Sequence, residues 1–279
     1  DERQWGWMDE GLNSFVQIIA EQDFGKAHPD AIPGLEHYPS DDMDPQTIVR
    51  YMAGDQDFIA PIMSNPENVY QLGPNAYSKP ATALNILRET VMGRELFDHA
   101  FKTFSQRWMF KHPTPEDFFR SMEDASAFDL DWFWRGWFFT TDVVDLGVTE
   151  VKDIKKLGDD KRYFSLYYQR SLENLTPEEL KNRKENKKFY EVVFEKPGGL
   201  VMPLIVDYVY ADGTTERKTY PAQVWRKNDN TISKYIATDK ELVGVVVDPD
   251  NATADINKDN NNWPKIIEEN DFEKFKKQQ

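Results

Sequence analysis

The chain has 279 residues, 39% of them hydrophobic and 14% aromatic, enough to bury a sizeable core and too apolar for a disordered segment. A net charge of -15 and a pI near 4.8 set the chain against nucleic acid, whose phosphates would be repelled, and no basic patch is visible to offset that field. The absence of cysteine excludes disulfides, thiolate metal sites and cysteine nucleophiles, and no apolar run approaches the ~20 residues a membrane-spanning helix needs.

In chain order, residues 7 to 22 have helical spacing. Met8, Leu12, Phe15 and Ile19 form the expected core stripe, with Glu10, Asn13, Gln17 and Glu21 on the opposite face. Asp23 to Asp42 is rich in Pro, Gly, His and Asp and reads as loop, followed by short helical pieces at Pro45 to Met52 and Phe58 to Met63. Pro80 suits the first position of a helix that carries Ala81, Leu84, Leu87 and Val91 and closes at Gly93. Glu95 to Trp108 is a further amphipathic helix. Thr114-Pro115-Glu116-Asp117 is a capped start for the next, and Asp129 opens an aromatic helix over Leu130 to Phe139 whose rings read as core.

From Val148 the period becomes two. Val148 to Ile154, Tyr163 to Gln169, Phe189 to Phe194, Leu204 to Tyr210, Lys218 to Trp225, Ile232 to Ala237 and Leu242 to Val247 are the predicted strands. Asp212-Gly213 marks a hairpin, and Ser171 to Lys187 is a polar excursion between strands. About seven short strands with this spacing predict an antiparallel β-sandwich of immunoglobulin-like size. The Asp/Asn-rich run after Val247 and the tail Glu268 to Gln279 read as solvated. The stretches from Asp248 and from Asp255 resemble oxygen-rich calcium loops, but in the second Asn260 and Ile266 stand where glycine and glutamate belong, and solvated turns are the expectation. Asn174 and Asn251 fit the glycosylation sequon.

Three segments carry a resemblance. Trp7-Met8-Asp9-Glu10-Gly11-Leu12-Asn13-Ser14-Phe15 resembles the segment bearing the third metal ligand of aminopeptidase-N-like zinc metallopeptidases of the gluzincin type. Asn75-Ala76-Tyr77-Ser78-Lys79-Pro80-Ala81 resembles their Y-x-K-G-A segment, with proline in place of the usual glycine at position 80. Asp117 to Trp137 looks like the helical end of their catalytic domains.

The resemblance implies an α+β chain: residues 1–145 as the C-terminal half of an α-helical thermolysin-like catalytic domain, residues 146–279 as the β-sandwich with a polar tail. It implies Glu10 as a zinc ligand and Tyr77 as the catalytic hydroxyl that faces the tetrahedral intermediate. Lys79 is left a supporting role. In this family the glutamate follows the second histidine of H-E-x-x-H by about eighteen residues, which places both imidazole ligands and the general base upstream of Asp1. His28, His37, His99 and His112 contain no H-x-x-x-H pair and are not expected to bind metal. The expectation is a C-terminal portion of a zinc-dependent aminopeptidase, inactive alone, that acts on a peptide substrate together with an N-terminal part of the same protein. No nucleic acid partner and no membrane span are expected. The alternative is a non-catalytic peptidase-like module whose β-sandwich serves packing or partner binding. Secreted or periplasmic placement is implied by resemblance alone.

Overall fold

The computed structural model describes residues 3–30, 44–154 and 188–265. Among the described residues six α-helices precede two antiparallel sheets, an α+β arrangement in which helices and strands contribute to one continuous hydrophobic core.

Helix α1 (Glu10–Ala27) follows a 3-10 turn at Gly6–Met8. That turn breaks the α-helical period ahead of Glu10, so the buried stripe is Gly11, Phe15 and Ile18, one notch round from the expected Met8, Leu12, Phe15 and Ile19. Trp7 swings fully inside instead, 5.8 Å from Phe119 in a stacked pair and 4.7 Å from Phe138. A 3-10 turn at Pro45–Ile48, capped by Asp44, runs into the single turn α2 (Val49–Met52). The helix expected over Phe58 to Met63 is absent. A 3-10 turn at Gln56–Phe58 takes its place, and Pro61 holds the residue before it out of the helical region.

The next helix departs most from expectation. Helix α3 (Lys79–Ile86) is flanked by π-helical turns at Gly73–Ser78 and Leu87–Met92, so Pro80 lies inside a longer helix rather than at its start. The Lys79 N–H donates to the Pro74 carbonyl, five residues back, the wider π register. Gly93, at φ 80°, ends the helix where an L side chain would be strained. Helix α4 (Arg94–Trp108) buries Phe97, Ala100 and Phe104. Helix α5 (Pro115–Ser126) has the expected capping box, in which the Thr114 N–H donates to Asp117 Oδ2 at 3.0 Å and the Asp117 N–H to Thr114 Oγ1 at 3.4 Å. Helix α6 (Asp131–Phe139) packs Phe133, Trp134, Trp137 and Phe138 into the core, while Trp132 and Phe139 stay outside it.

The strands are β1 (Gly147–Asp153), β2 (Lys188–Glu195), β3 (Leu204–Tyr210), β4 (Thr215–Tyr220), β5 (Thr231–Thr238), β6 (Leu242–Val247) and β7 (Asn262–Trp263). They pair in the orders β1-β2-β5 and β4-β3-β6-β7, every pair antiparallel. Alternation in β3 buries Leu204, Val206, Tyr208 and Tyr210, and Asp212 closes the β3–β4 hairpin by accepting from the Thr214 N–H at 2.9 Å. The strand expected through Trp225 stops at Tyr220. Pro221 ends it, and a 3-10 turn at Ala222–Lys227 buries Trp225, whose indole N–H donates to the Met202 carbonyl at 3.0 Å. The strand expected at Tyr163 to Gln169, the polar excursion Ser171 to Lys187 and the tail from Glu268 lie outside the described residues.

The Asp/Asn-rich run is not solvated as expected. Asp248, Thr253, Asp255, Asn260 and Asn261 are buried and tie the linker between helices and sheets. Asp255 accepts from the Leu146 N–H at 3.1 Å and the Asn257 N–H at 3.0 Å, while Asn260 Nδ2 donates to Asp145 Oδ1 at 2.7 Å. Burial pushes the Asp255 carboxyl up to about 7. Thr90 donates to the Ala252 carbonyl at 3.1 Å, so the second π turn is held by the same knot.

Candidate functional site

Glu10 stands in the first turn of α1, and Tyr77 in the π turn ahead of α3. Both positions depend on one close approach. A Cβ on Gly11 would lie 2.6 Å from the Pro80 Cγ, 2.8 Å from its Cβ and 3.0 Å from the Ala76 carbonyl oxygen, so only glycine lets α1 lie directly on the Pro80 ring. Glycine at 11 and proline at 80 therefore fit one another, which explains how the chain accommodates proline where the related segment carries glycine. Asn75, fully buried, donates to the Ala60 carbonyl at 2.8 Å and the Pro61 carbonyl at 3.2 Å and fixes the start of the π turn. Gly6 abuts Pro66, with a Cβ there 3.0 Å from the ring.

The result is a direct juxtaposition of the two residues singled out in the sequence. The Tyr77 hydroxyl donates a hydrogen bond to the Glu10 carboxylate, and this bond, with the charges of Glu10 and Asp9, raises the phenol above its ordinary value. Tyr77 is 39% exposed, so the pair opens to solvent rather than into the core. The phenol keeps its proton at neutral pH and stands as a hydrogen-bond donor beside a carboxylate.

Lys79, two residues on, is 1% exposed and points the other way. Burial lowers its ammonium to about 8, with Asp142 in the linker the counter-charge that opposes the shift. The sequence assigned Lys79 a supporting role and gave no hint of its burial or of Asp142. Since the unfolded chain holds its proton up to the ordinary value near 10.5, it binds more protons than the folded chain between about pH 8 and 10.5, and stability rises with pH across that window. Lys79→Met should remove this rise, about 3 kcal/mol in the difference between wild-type and variant urea midpoints converted to free energy. The variant should also be the more stable protein at pH 7. Parallel pH profiles for the two proteins would contradict the buried charge.

The third segment behaves as scaffold. Glu123 accepts from the Leu130 N–H at 2.8 Å and caps the approach to α6, with burial as the main cause of its raised carboxyl. The described histidines do not gather: His28 packs on Phe24 at the end of α1, His99 lies on α4 and His112 in the α4–α5 loop, while His37 falls outside the described residues. Among the described residues no three His, Asp or Glu side chains converge as a metal set, and no helix is long and apolar enough to cross a membrane.

Residues 3–137 match the Peptidase family M1 domain. The fold is similar to that of Legionella pneumophila aminopeptidase A, solved in complex with aspartic acid, at TM-score 0.50 and 15% identity over 91% of this chain. The match takes up 24% of that protein, so the chain spans about a quarter of its length. No curated protein matches the chain.

Proposed function

We propose that this chain, whose residues 3–137 match the Peptidase family M1 domain, is the C-terminal part of a zinc-dependent aminopeptidase. The observation that supports this reading is the Tyr77 hydroxyl donating to the Glu10 carboxylate at a solvent-open position. A carboxylate oxygen in the first turn of a helix is a hard donor suited to zinc, and Glu10 would be one ligand of a set completed by residues outside this chain. When bound, the metal polarises the scissile carbonyl and makes a nucleophile of water at neutral pH.

The chain's own residues then have two tasks. Glu10 holds one coordination position, fixed in direction by the Gly11–Pro80 contact beneath it. Tyr77 has one O–H, which it gives to Glu10 here; with that carboxylate serving as a metal ligand, the hydroxyl would turn to the oxygen on which negative charge develops, where a donor acts on the transition state rather than on bound substrate. Neither residue removes the proton of the attacking water, which is left to a carboxylate outside the chain.

Activity with zinc separates this reading from a non-catalytic module. A longer protein that carries H-E-x-x-H at the required spacing should hydrolyse amino-acyl p-nitroanilides, lose the activity to a chelator and regain it with zinc. The 279-residue chain alone should do neither and should bind no zinc tightly. Stoichiometric zinc on the chain alone, or an inert longer protein with bound zinc, would end the proposal.

A further inference from the structure

The corner between α4 and α5 is locally basic within this acidic chain. From His99 to Pro115 there is no acidic residue, while Lys102, Arg107 and Lys111 are all present, a local reversal within a chain of net charge -15. At its apex Met109 is 56% exposed and Phe110 is 98% exposed. Phe110 also sits at φ 61°, a left-handed conformation that a bulky L residue seldom adopts and that glycine or asparagine would meet without strain. A wholly exposed aromatic in a strained conformation contributes nothing to the fold that presents it.

Its surroundings hold that side chain outward. The Trp108 indole N–H donates to Ser121 Oγ at 3.1 Å, which anchors the half-buried ring on α5. Lys111 Nζ donates to the Arg107 carbonyl at 2.8 Å and lies 5.7 Å from the centre of the Trp108 ring, placing its ammonium beside the apex. Arg107 reaches Asp124 at 3.6 Å, a long and exposed pair that leaves its guanidinium accessible.

From this we infer that the Arg107–Lys111 tip is a docking point for an anionic lipid surface, with Met109 and Phe110 seated among the headgroups and Arg107 and Lys111 against their phosphates and carboxylates. The chemistry matches: an apolar apex, a tryptophan at its base and flanking cations are what a membrane interface takes up. A protein partner fits less well, since a tip of three apolar residues falls far short of the ~1,000 Å² a specific protein interface buries.

Sedimentation of the 279-residue chain with vesicles of equimolar phosphatidylcholine and phosphatidylserine tests this. The chain should partition onto them, bind phosphatidylcholine vesicles more weakly and be released by salt. Phe110→Gly separates docking from folding, because glycine relieves the positive φ: it should melt no lower than wild type yet lose about tenfold to a hundredfold in partition coefficient. Arg107→Gln with Lys111→Gln should erase the preference for phosphatidylserine. A wild-type chain that stays in the supernatant would overturn the inference, as would a Phe110→Gly chain that binds as wild type does or a tip found to serve a protein partner instead.

Discussion

In a longer protein of the proposed kind, one that carries H-E-x-x-H, Tyr77→Phe should lower kcat by about 10²- to 10³-fold while leaving KM nearly unchanged, the loss expected when a donor to a developing oxyanion is removed. The structure makes the substitution unusually clean. The ring is 39% exposed and its hydroxyl bonds to Glu10, so phenylalanine leaves the packing in place and removes one hydrogen bond. Stability should change by no more than a few tenths of a kcal/mol, as for other exposed substitutions. A merely structural tyrosine would show the opposite pattern, with intact kcat and a lowered melting point. Equal kcat in the two proteins would take Tyr77 out of the mechanism.

Which parts of this site were legible in the sequence follows from what each depends on. Glu10 and Tyr77 are named by short local patterns and could be picked out without knowing where the helices lie, and the structure brings the two together. The capping box at Thr114 and the Asp212-Gly213 hairpin are legible for the same reason, since their bonds span three residues or fewer. The π register around α3 is not, because it rests on contacts far apart in sequence: Asn75 on Ala60 and Pro61, Gly11 on Pro80, Thr90 on Ala252. Pro80 was read by its commonest role, a helix start, while the packing of α1 gave it another. Trp225 belonged to the strand by alternation, and Pro221 together with the Met202 carbonyl drew it into a buried turn. The Asp/Asn-rich run looked solvated because its composition is polar, yet its partners are the backbone of residues 144–146 and the Asp145 side chain, invisible to any window of sequence.

Gly11→Ala offers the sharpest conflict between local and tertiary reasoning. Helix propensity alone would make alanine about 1 kcal/mol more stable than glycine at a helical position. The structure opposes this: the new methyl would stand 2.6 Å from the Pro80 Cγ, and a proline ring cannot rotate aside as a flexible side chain can. Overpacking of this kind costs about 1–3 kcal/mol, so the variant should be destabilised by up to about 2 kcal/mol net despite its better propensity, and Gly11→Val by more. The pairing can be isolated. Pro80→Gly removes the ring, and in that background Gly11→Ala should recover at least about 1 kcal/mol, the coupling a double-mutant cycle reads for residues in contact. The functional consequence follows from the same atoms. Because Glu10 precedes Gly11 and Tyr77 precedes Pro80 by three residues, pushing α1 off α3 parts the carboxylate from the hydroxyl, and on the proposed reading a longer, zinc-binding protein with Gly11→Ala should lose the metal more readily as well as unfold more readily. Were Gly11→Ala to raise the urea midpoint of the wild-type chain, the close approach of α1 to Pro80 could not be what sets Glu10 against Tyr77.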